Sequence, residues 1–407
     1  MAENPAPRRS LKEHVAAARA LLSGPRVARV PAADALGRAL AVDVAAAEDS
    51  PRFTNSQMDG YALREDQRGG GRFRVGPTIP AGADPKDVAP DPWAGDVVLP
   101  VMTGARLPEG TAAVVPVERG EPGSFDAAER AGVALPAAPQ GQFVRPRGSD
   151  LNAGERLLAA GARVNPATVG LLAAQGIGEV PVVAPRRVVV ATGGDEVGAP
   201  GAARIRDANA PLLAALLSAA GIEVAGHVAI ADDPAVLADR LSAEIERTAP
   251  DAVVSSGGIS RGRFEPVREL LSGGWVGTLP QQPGGPQGLG LFGGVPVIAL
   301  PGNPVSTLVS GRLIALPALA DEPGWASPAA ALLDGEAEGL PDDRTQYRRA
   351  VHRVDEAGRL VVRLLPGTGS HLLARAEPAT CLAAVAPGAR LRPGDTVGAY
   401  PLYSPRL

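Results

Sequence analysis

From Arg187 to Ser306 the sequence alternates short apolar runs with helical patterns, and the runs end in loops of glycine, serine or acidic residues. Val188–Ala191 leads into Thr192-Gly193-Gly194-Asp195-Glu196, and Ile222–Ile230 into Ala231-Asp232-Asp233-Pro234. Asp251–Val254 leads into Ser255-Ser256-Gly257-Gly258-Ile259-Ser260, and Val295–Leu300 into Pro301-Gly302-Asn303-Pro304-Val305-Ser306. Unbroken apolar strands separated by helices predict a parallel sheet covered on both faces, a doubly wound α/β domain. In such a sheet the loops at the carboxyl ends of the strands form the ligand site. Glycine lets backbone N–H groups approach a ligand closely, serine adds hydroxyl donors, and a helix N-terminus behind the loop favours negative charge. Four loops should therefore converge on one crevice suited to an anionic, phosphate-bearing small molecule.

The 407 residues exceed one ordinary core, and the pattern changes along them. Ser10-Leu11-Lys12-Glu13 is a capping box that predicts a helix to about Leu22, and a second short helical pattern covers Ala32–Leu40. Between Pro51 and Gln142 the chain is rich in glycine, proline and short β-type runs, with no helical period. Asn165-Pro166 is an N-cap and N1 pair that opens another helix, ending at Gly176. After Pro328 the segments Tyr347–Val354, Leu360–Leu365, Cys381–Val385 and Thr396–Tyr400 alternate like strands of a small all-β domain. The expected fold class is multidomain α/β. It comprises a doubly wound ligand-binding domain at 181–327, a β-rich insertion at 51–144, a small helical scaffold domain from 1–50 and 145–180, and a β-barrel-like domain at 328–407.

Net charge of −4 argues against a nucleic-acid partner held by bulk electrostatics. Only 3% of residues are aromatic, so the cores must be built from Ala, Val and Leu. Cys381 is the lone cysteine, which excludes an intrachain disulfide and a thiolate zinc site; it reads as a small buried hydrophobe. His14, His227, His352 and His371 show no ligand spacing. No run approaches the ~20 apolar residues of a membrane span, and no signal-peptide core opens the chain, so a cytoplasmic location is expected.

The four loops bring Asp195, Glu196, Asp232, Asp233 and Glu265 towards the crevice. Oxygen donors of this kind suit Mg²⁺, which takes one or two carboxylates and completes its shell with phosphate and water. Glu196 and Asp232 are the candidate metal ligands, whereas Asp233 before Pro234 reads as a helix cap. Within the insertion, Thr54 to Ala62 is densely polar; alone it fits a hairpin turn with Asp59-Gly60 at its tip as well as a site. Arg145 and Arg147 could grip an oxyanion in a two-pronged contact or form a solvated strand face.

Taken together, several segments strongly resemble the MoeA family, the molybdopterin molybdenumtransferases of molybdenum-cofactor synthesis, related to the E domain of gephyrin. They are Asn55-Ser56-Gln57-Met58-Asp59-Gly60-Tyr61-Ala62, Thr103-Gly104-Ala105, Arg147-Gly148-Ser149-Asp150, Thr192-Gly193-Gly194-Asp195-Glu196, Ser256-Gly257-Gly258 and Leu300–Ser306. The resemblance spans essentially the whole chain. It implies an elongated homodimer of four-domain subunits whose cleft joins the doubly wound domain of one subunit to the insertion of the other. It implies cleavage of adenylylated molybdopterin with Mg²⁺, release of AMP and insertion of molybdate. The molybdopterin adenylyltransferase and apo-molybdoenzymes are the implied partners. Catalytic roles fall on Asp59, Thr103, Glu196, Asp232 and Glu265. The resemblance assigns substrate contacts to Arg145 and Asp150; the loops themselves add Ser256, Gly257, Gly258, Ser260, Pro301, Gly302, Asn303, Pro304 and Ser306 as binding residues, with Arg261 and Arg263 as further candidates.

Four departures stand out. An additional glycine precedes Asp195-Glu196, Glu265 stands where the family has Asp, and the family's Lys-Pro-Gly-Lys-Pro segment reads Gln282-Pro283-Gly284-Gly285-Pro286. Arg261 and Arg263 occupy places that are usually small, apolar or acidic, and are candidates to restore the lost positive charge. The alternative reading is a divergent paralogue that binds a pterin or nucleotide with altered or no metal-insertion activity. A gephyrin-like scaffold is disfavoured, because no long linker or separate partner-binding domain is visible.

Overall fold

The computed structural model describes residues 8–194, 197, 204–259, 265–271 and 273–404. The chain divides into two compact units, Val27–Val183 and a second built from the N-terminal segment to Arg26 together with Ala184–Leu407.

The second unit is centred on a six-stranded sheet of β1 (Arg187–Gly193), β2 (Glu223–Ile230), β3 (Ala252–Ser256), β4 (Trp275–Thr278), β5 (Pro286–Phe292) and β6 (Val295–Leu300). Its order is β2-β1-β3-β6-β5-β4. The first four strands are parallel, as the apolar runs predicted, while β5 and β4 continue the sheet antiparallel. Strand β5 lies in a glycine- and proline-rich stretch that carries no strand pattern. Its glycines are required by packing: a Cβ on Gly288 or Gly290 would come within 3.0 or 3.1 Å of the Leu271 side chain.

Helices α1 (Leu11–Leu21), α2 (Asn209–Ala219), α3 (Pro234–Thr248), α4 (Pro266–Leu270) and α5 (Pro304–Ser310) cover this sheet. Sequence signals fix their starts. The Ser10 hydroxyl accepts from the Glu13 amide while Glu13 accepts from the Ser10 amide, the expected capping box. Asp233 accepts from the Ala235 amide at 2.8 Å with Pro234 at the first helical position, so its carboxylate caps α3. One face of the sheet packs Val189, Val253 and Val297 on Leu237 and Leu241. The other packs Val190, Val254 and Ile298 with Leu213, Leu313, Leu316 and Trp325, and runs on into Tyr347, Leu382 and Leu402 of the C-terminal domain.

That C-terminal domain is a closed barrel of β7 (Ala329–Leu333), β8 (Thr345–Val354), β9 (Leu360–Leu364), β10 (Cys381–Val385) and β11 (Thr396–Pro401). The ring runs β8-β9-β7-β11-β10 and closes through β10–β8 pairing. Gln281–Gln282 adds parallel to the start of β8 and ties the barrel to the α/β sheet. Burial pushes the Cys381 thiol up to about 11, as befits a core residue rather than a nucleophile.

His14 on α1 is fully buried, with its ring 4.8 Å from that of Trp275 and neither ring nitrogen hydrogen-bonded. Burial, reinforced by Arg9, lowers its pKa to about 4. The unfolded chain would bind a proton near pH ~6.5 that the native chain refuses, so stability rises with pH across that interval. Chemical denaturation should show about 3 kcal/mol lost between pH 6.5 and 4, a slope that His14→Leu flattens. Parallel pH profiles for the two proteins would count against this assignment.

In the Val27–Val183 unit, a five-stranded sheet holds Ala113–Pro116, Gly60–Leu63, Val97–Val101, Gly71–Val75 and Val133–Leu135, in that order. Helices Pro85–Val88 and Phe125–Ala131 interrupt a region expected to have none; both are too short to show a period. The helical pattern at Ala32–Leu40 shrinks to a 3₁₀ turn at Ala32–Ala35, because Gly37 at φ 78° turns the chain away. The scaffold region pairs Val27–Pro31 with Glu179–Val183 beside the expected helix at Pro166–Ala174, where Asn165 caps the Thr168 amide.

Candidate functional site

The loops after β1, β2, β3 and β6 line one cleft of about 850 Å³ at the carboxyl end of the parallel strands. Glycine permits the approach. Gly257 and Gly258 adopt φ of 106° and 67°. A Cβ on Gly257 would sit 3.1 Å from the Gly193 carbonyl oxygen, and one on Gly302 would sit 3.2 Å from Gly257 Cα. Three strand ends thus meet backbone to backbone, which any side chain would prise apart. Ser256 stands at this junction, buried, and its hydroxyl bonds to Thr307 Oγ1 at 2.8 Å and to the Pro301 carbonyl at 3.2 Å. The hydroxyl expected as a ligand donor therefore ties the two loops together.

Asp232 and Glu265 line the cleft, as do Gly258, Pro301, Asn303, Pro304 and Ser306. Glu196, Ser260, Arg261 and Arg263 lie outside the described residues. Among the described residues no three His, Cys, Asp or Glu side chains are grouped to hold a metal ion. The described carboxylates on the lining are those of Asp207, Asp232 and Glu265, oxygen donors of the type Mg²⁺ takes in ones and twos alongside phosphate and water.

Three contributions to the cleft carry no local signal. Asp207 lines it, accepts from Thr192 Oγ1 at 2.6 Å, and accepts from the Asn209 and Ala210 amides at 2.9 and 3.0 Å. Asn209 Nδ2 donates onward to the Gly302 carbonyl at 2.7 Å, so the start of α2 is bound to both β1 and the β6 loop. Asn209, Ala210 and Pro211 open α2, but nothing in their order signals this clasp. The third contribution comes from the barrel: Thr368, Ser370 and His371 line the cleft, and the Val305 amide donates to the Ser370 carbonyl at 3.0 Å. Nothing in a β-type C-terminal segment signals that its loop reaches an α/β site.

The segment without lysines forms an uncharged rim of Gln282, Pro283, Gly284 and Pro286. Gln281 and Gln287 donate their side-chain amides to the Gly284 carbonyl at 2.9 and 2.7 Å, and both also reach Ser310.

In the Val27–Val183 unit the expected residues are ordered locally. Asp59 Oδ1 accepts from the Thr103 amide at 2.6 Å and from its hydroxyl at 2.7 Å. The hydroxyl bond, then the amide bond, holds the Asp59 carboxyl below its usual range. Arg145 pairs across strands with Asn55 and donates to its side-chain oxygen at 3.4 Å. Asp150 accepts from the Ser50 hydroxyl at 3.1 Å, and Arg147 is ion-paired with Asp49.

Comparison with known proteins matches these parts to one family. Residues 9–176 match the MoeA N-terminal region (domains I and II), 189–321 a probable molybdopterin binding domain, and 337–402 the MoeA C-terminal region (domain IV). A Mycobacterium tuberculosis protein named molybdopterin molybdenumtransferase 2 is 34% identical over 390 residues, covering 89% of this chain and 92% of that protein. The chain belongs to the MoeA family. A Haemophilus influenzae molybdopterin molybdenumtransferase is 30% identical over 372 residues, covering 86% of this MoeA chain and 87% of its own length. A crystal structure of a molybdopterin biosynthesis MoeA protein from Pyrococcus horikoshii aligns with a TM-score of 0.77 at 26% identity, covering 98% of this chain and all of that one. The multidomain α/β architecture with its closed barrel is thus the MoeA architecture, and the chain is a transferase of molybdenum-cofactor biosynthesis.

Proposed function

We propose that this MoeA chain takes adenylylated molybdopterin and molybdate as substrates, releases AMP and leaves molybdenum on the pterin dithiolene. The observation that carries the reading is the cleft. Glycine loops from parallel strand ends, the clasped N-terminus of α2 and the Asp232 and Glu265 carboxylates share one wall system of a size for a pterin nucleotide. Asp232, with Glu196 from outside the described residues, would hold Mg²⁺, which would supply charge neutralisation while a water or molybdate oxygen displaces AMP at the phosphoanhydride. The Gly257–Gly258 and Gly302 backbones bind and orient the phosphates. Loop residues Thr368–His371 complete the lining beside the β6 loop. Catalytic roles for Asp59 and Thr103, and substrate contacts for Arg145 and Asp150, are part of the same proposal; their support is the tight local hydrogen bonding around Asp59 and Arg145.

The reading also implies a cytoplasmic homodimer that receives its substrate from the molybdopterin adenylyltransferase and passes its product to apo-molybdoenzymes. No helix among the described residues is long and apolar enough to cross a membrane. Sedimentation at twice the chain mass tests the dimer.

Expression in a bacterial strain lacking its molybdenumtransferase is expected to restore molybdoenzyme activity. Folded protein that fails to do so would favour the second reading, a chain that binds pterin or nucleotide without inserting metal. The uncharged rim at Gln282–Pro286 is the observation behind that alternative.

A further inference from the structure

An anionic ligand in this cleft needs a cation, and the described lining offers few. Three carboxylates face it, from Asp207, Asp232 and Glu265, and the rim at Gln282–Pro286 contributes no charge. Two described lining groups can carry positive charge, Arg206 and His371. The neighbour of Arg206, Asp207, is committed to Thr192, Asn209 and Ala210. Arg206 itself is exposed and makes no hydrogen bond or ion pair with any described residue. A guanidinium on the lining that pairs with no described carboxylate is available for a ligand.

We propose that Arg206 is the anchor for a tetrahedral oxyanion in this cleft, either a phosphate ester or molybdate. The inference rests on the substrate reading above and names the group that meets the anion. The planar guanidinium fork matches two oxygens of a tetrahedral anion at once, with parallel N–H donors. Its base is rigid, because three hydrogen bonds to Asp207 fix the adjacent backbone against β1 and α2. On its other side Ile205 also lines the cleft and is 59% exposed, an apolar surface where a ring system attached to the anion would rest. Charge lost from the rim would thus be supplied by the segment preceding α2.

The test uses the full-length protein and calorimetric titration with AMP, adenosine and sodium molybdate. Arg206 is exposed, so Arg206→Gln should leave the melting curve unchanged. AMP affinity is expected to fall about ten- to a hundredfold, the size of one charge-assisted contact to an anion, while adenosine affinity holds. Arg206→Lys should recover part of the loss, since it keeps the charge but not the fork. If the anchored anion is molybdate, the loss appears with molybdate and not with AMP. Unchanged affinity for both anions, an equal loss for adenosine, or wild-type protein that binds neither anion would overturn the anchor. Arg206-dependent AMP binding in a protein that cannot release AMP from adenylylated molybdopterin would keep the anchor and retire the enzymatic reading. Successful complementation with anion binding indifferent to Arg206 would do the reverse.

Discussion

Asp232→Asn should lower the rate of AMP release from adenylylated molybdopterin roughly 100- to 1,000-fold, the scale of losing one electrostatic contact made in the transition state. Affinity for the substrate should change far less, because the carboxylate matters most where phosphate charge shifts. The neighbouring Asp233 provides the control. Its carboxylate caps α3 through the Ala235 amide, whereas Asp232 lines the cleft. Asp233→Asn keeps a capping oxygen and should leave turnover near wild type; Asp233→Ala should cost about 0.5–2 kcal/mol of stability instead. Single-turnover AMP release with parallel binding measurements separates these effects. Equal losses in rate and affinity for Asp232→Asn, or none in either, would remove it from catalysis.

Arg349→Met should cost roughly 2–5 kcal/mol and displace one part of the cleft lining, the expected loss for two short, part-buried hydrogen bonds from a charged donor. Arg349 is 3% exposed on β8 and donates to the carbonyls of Leu372 at 2.5 Å, Gly367 at 2.7 Å and Pro366 at 3.4 Å. Those carbonyls belong to the loop that carries Thr368, Ser370 and His371 into the cleft. Denaturation and substrate titration should therefore fail together: a lower unfolding free energy, and a KM raised more than kcat falls. A variant as stable as wild type, with unaltered KM, would show that the loop holds its place without the guanidinium.

Where a signal is local, the sequence carries it. Asn165-Pro166, Asp233-Pro234 and the Ser10–Glu13 box set helix starts through bonds that span three residues or fewer. The parallel strands were legible because strands covered on both faces must be continuously apolar. Strand β5 was not, since Gly288 and Gly290 answer to the Leu271 side chain and not to a pattern of their own. The same divide runs through the site. Asp232, Glu265 and the Gly-rich loops were legible from their place after apolar runs, and Asp59 and Thr103 from a family motif.

The Asp59–Thr103 bond, the Asp207 clasp and the Ser256 tie are different in kind. Each joins residues 15 to 51 positions apart. Such partners are chosen by which strand ends lie side by side, and a change of strand order would choose others. The sequence by itself determined the family, the parallel strands, the helix caps and most of the loops that form the cleft. Only the tertiary structure decided that the Ser256 hydroxyl bonds to protein, that Arg206 lines the cleft without a partner among the described residues, and that a barrel loop joins the lining. The reason is physical: backbone propensity and hydrophobic period act over a few residues, whereas a polar side chain's partner is whatever the packed core brings within about 3 Å of it.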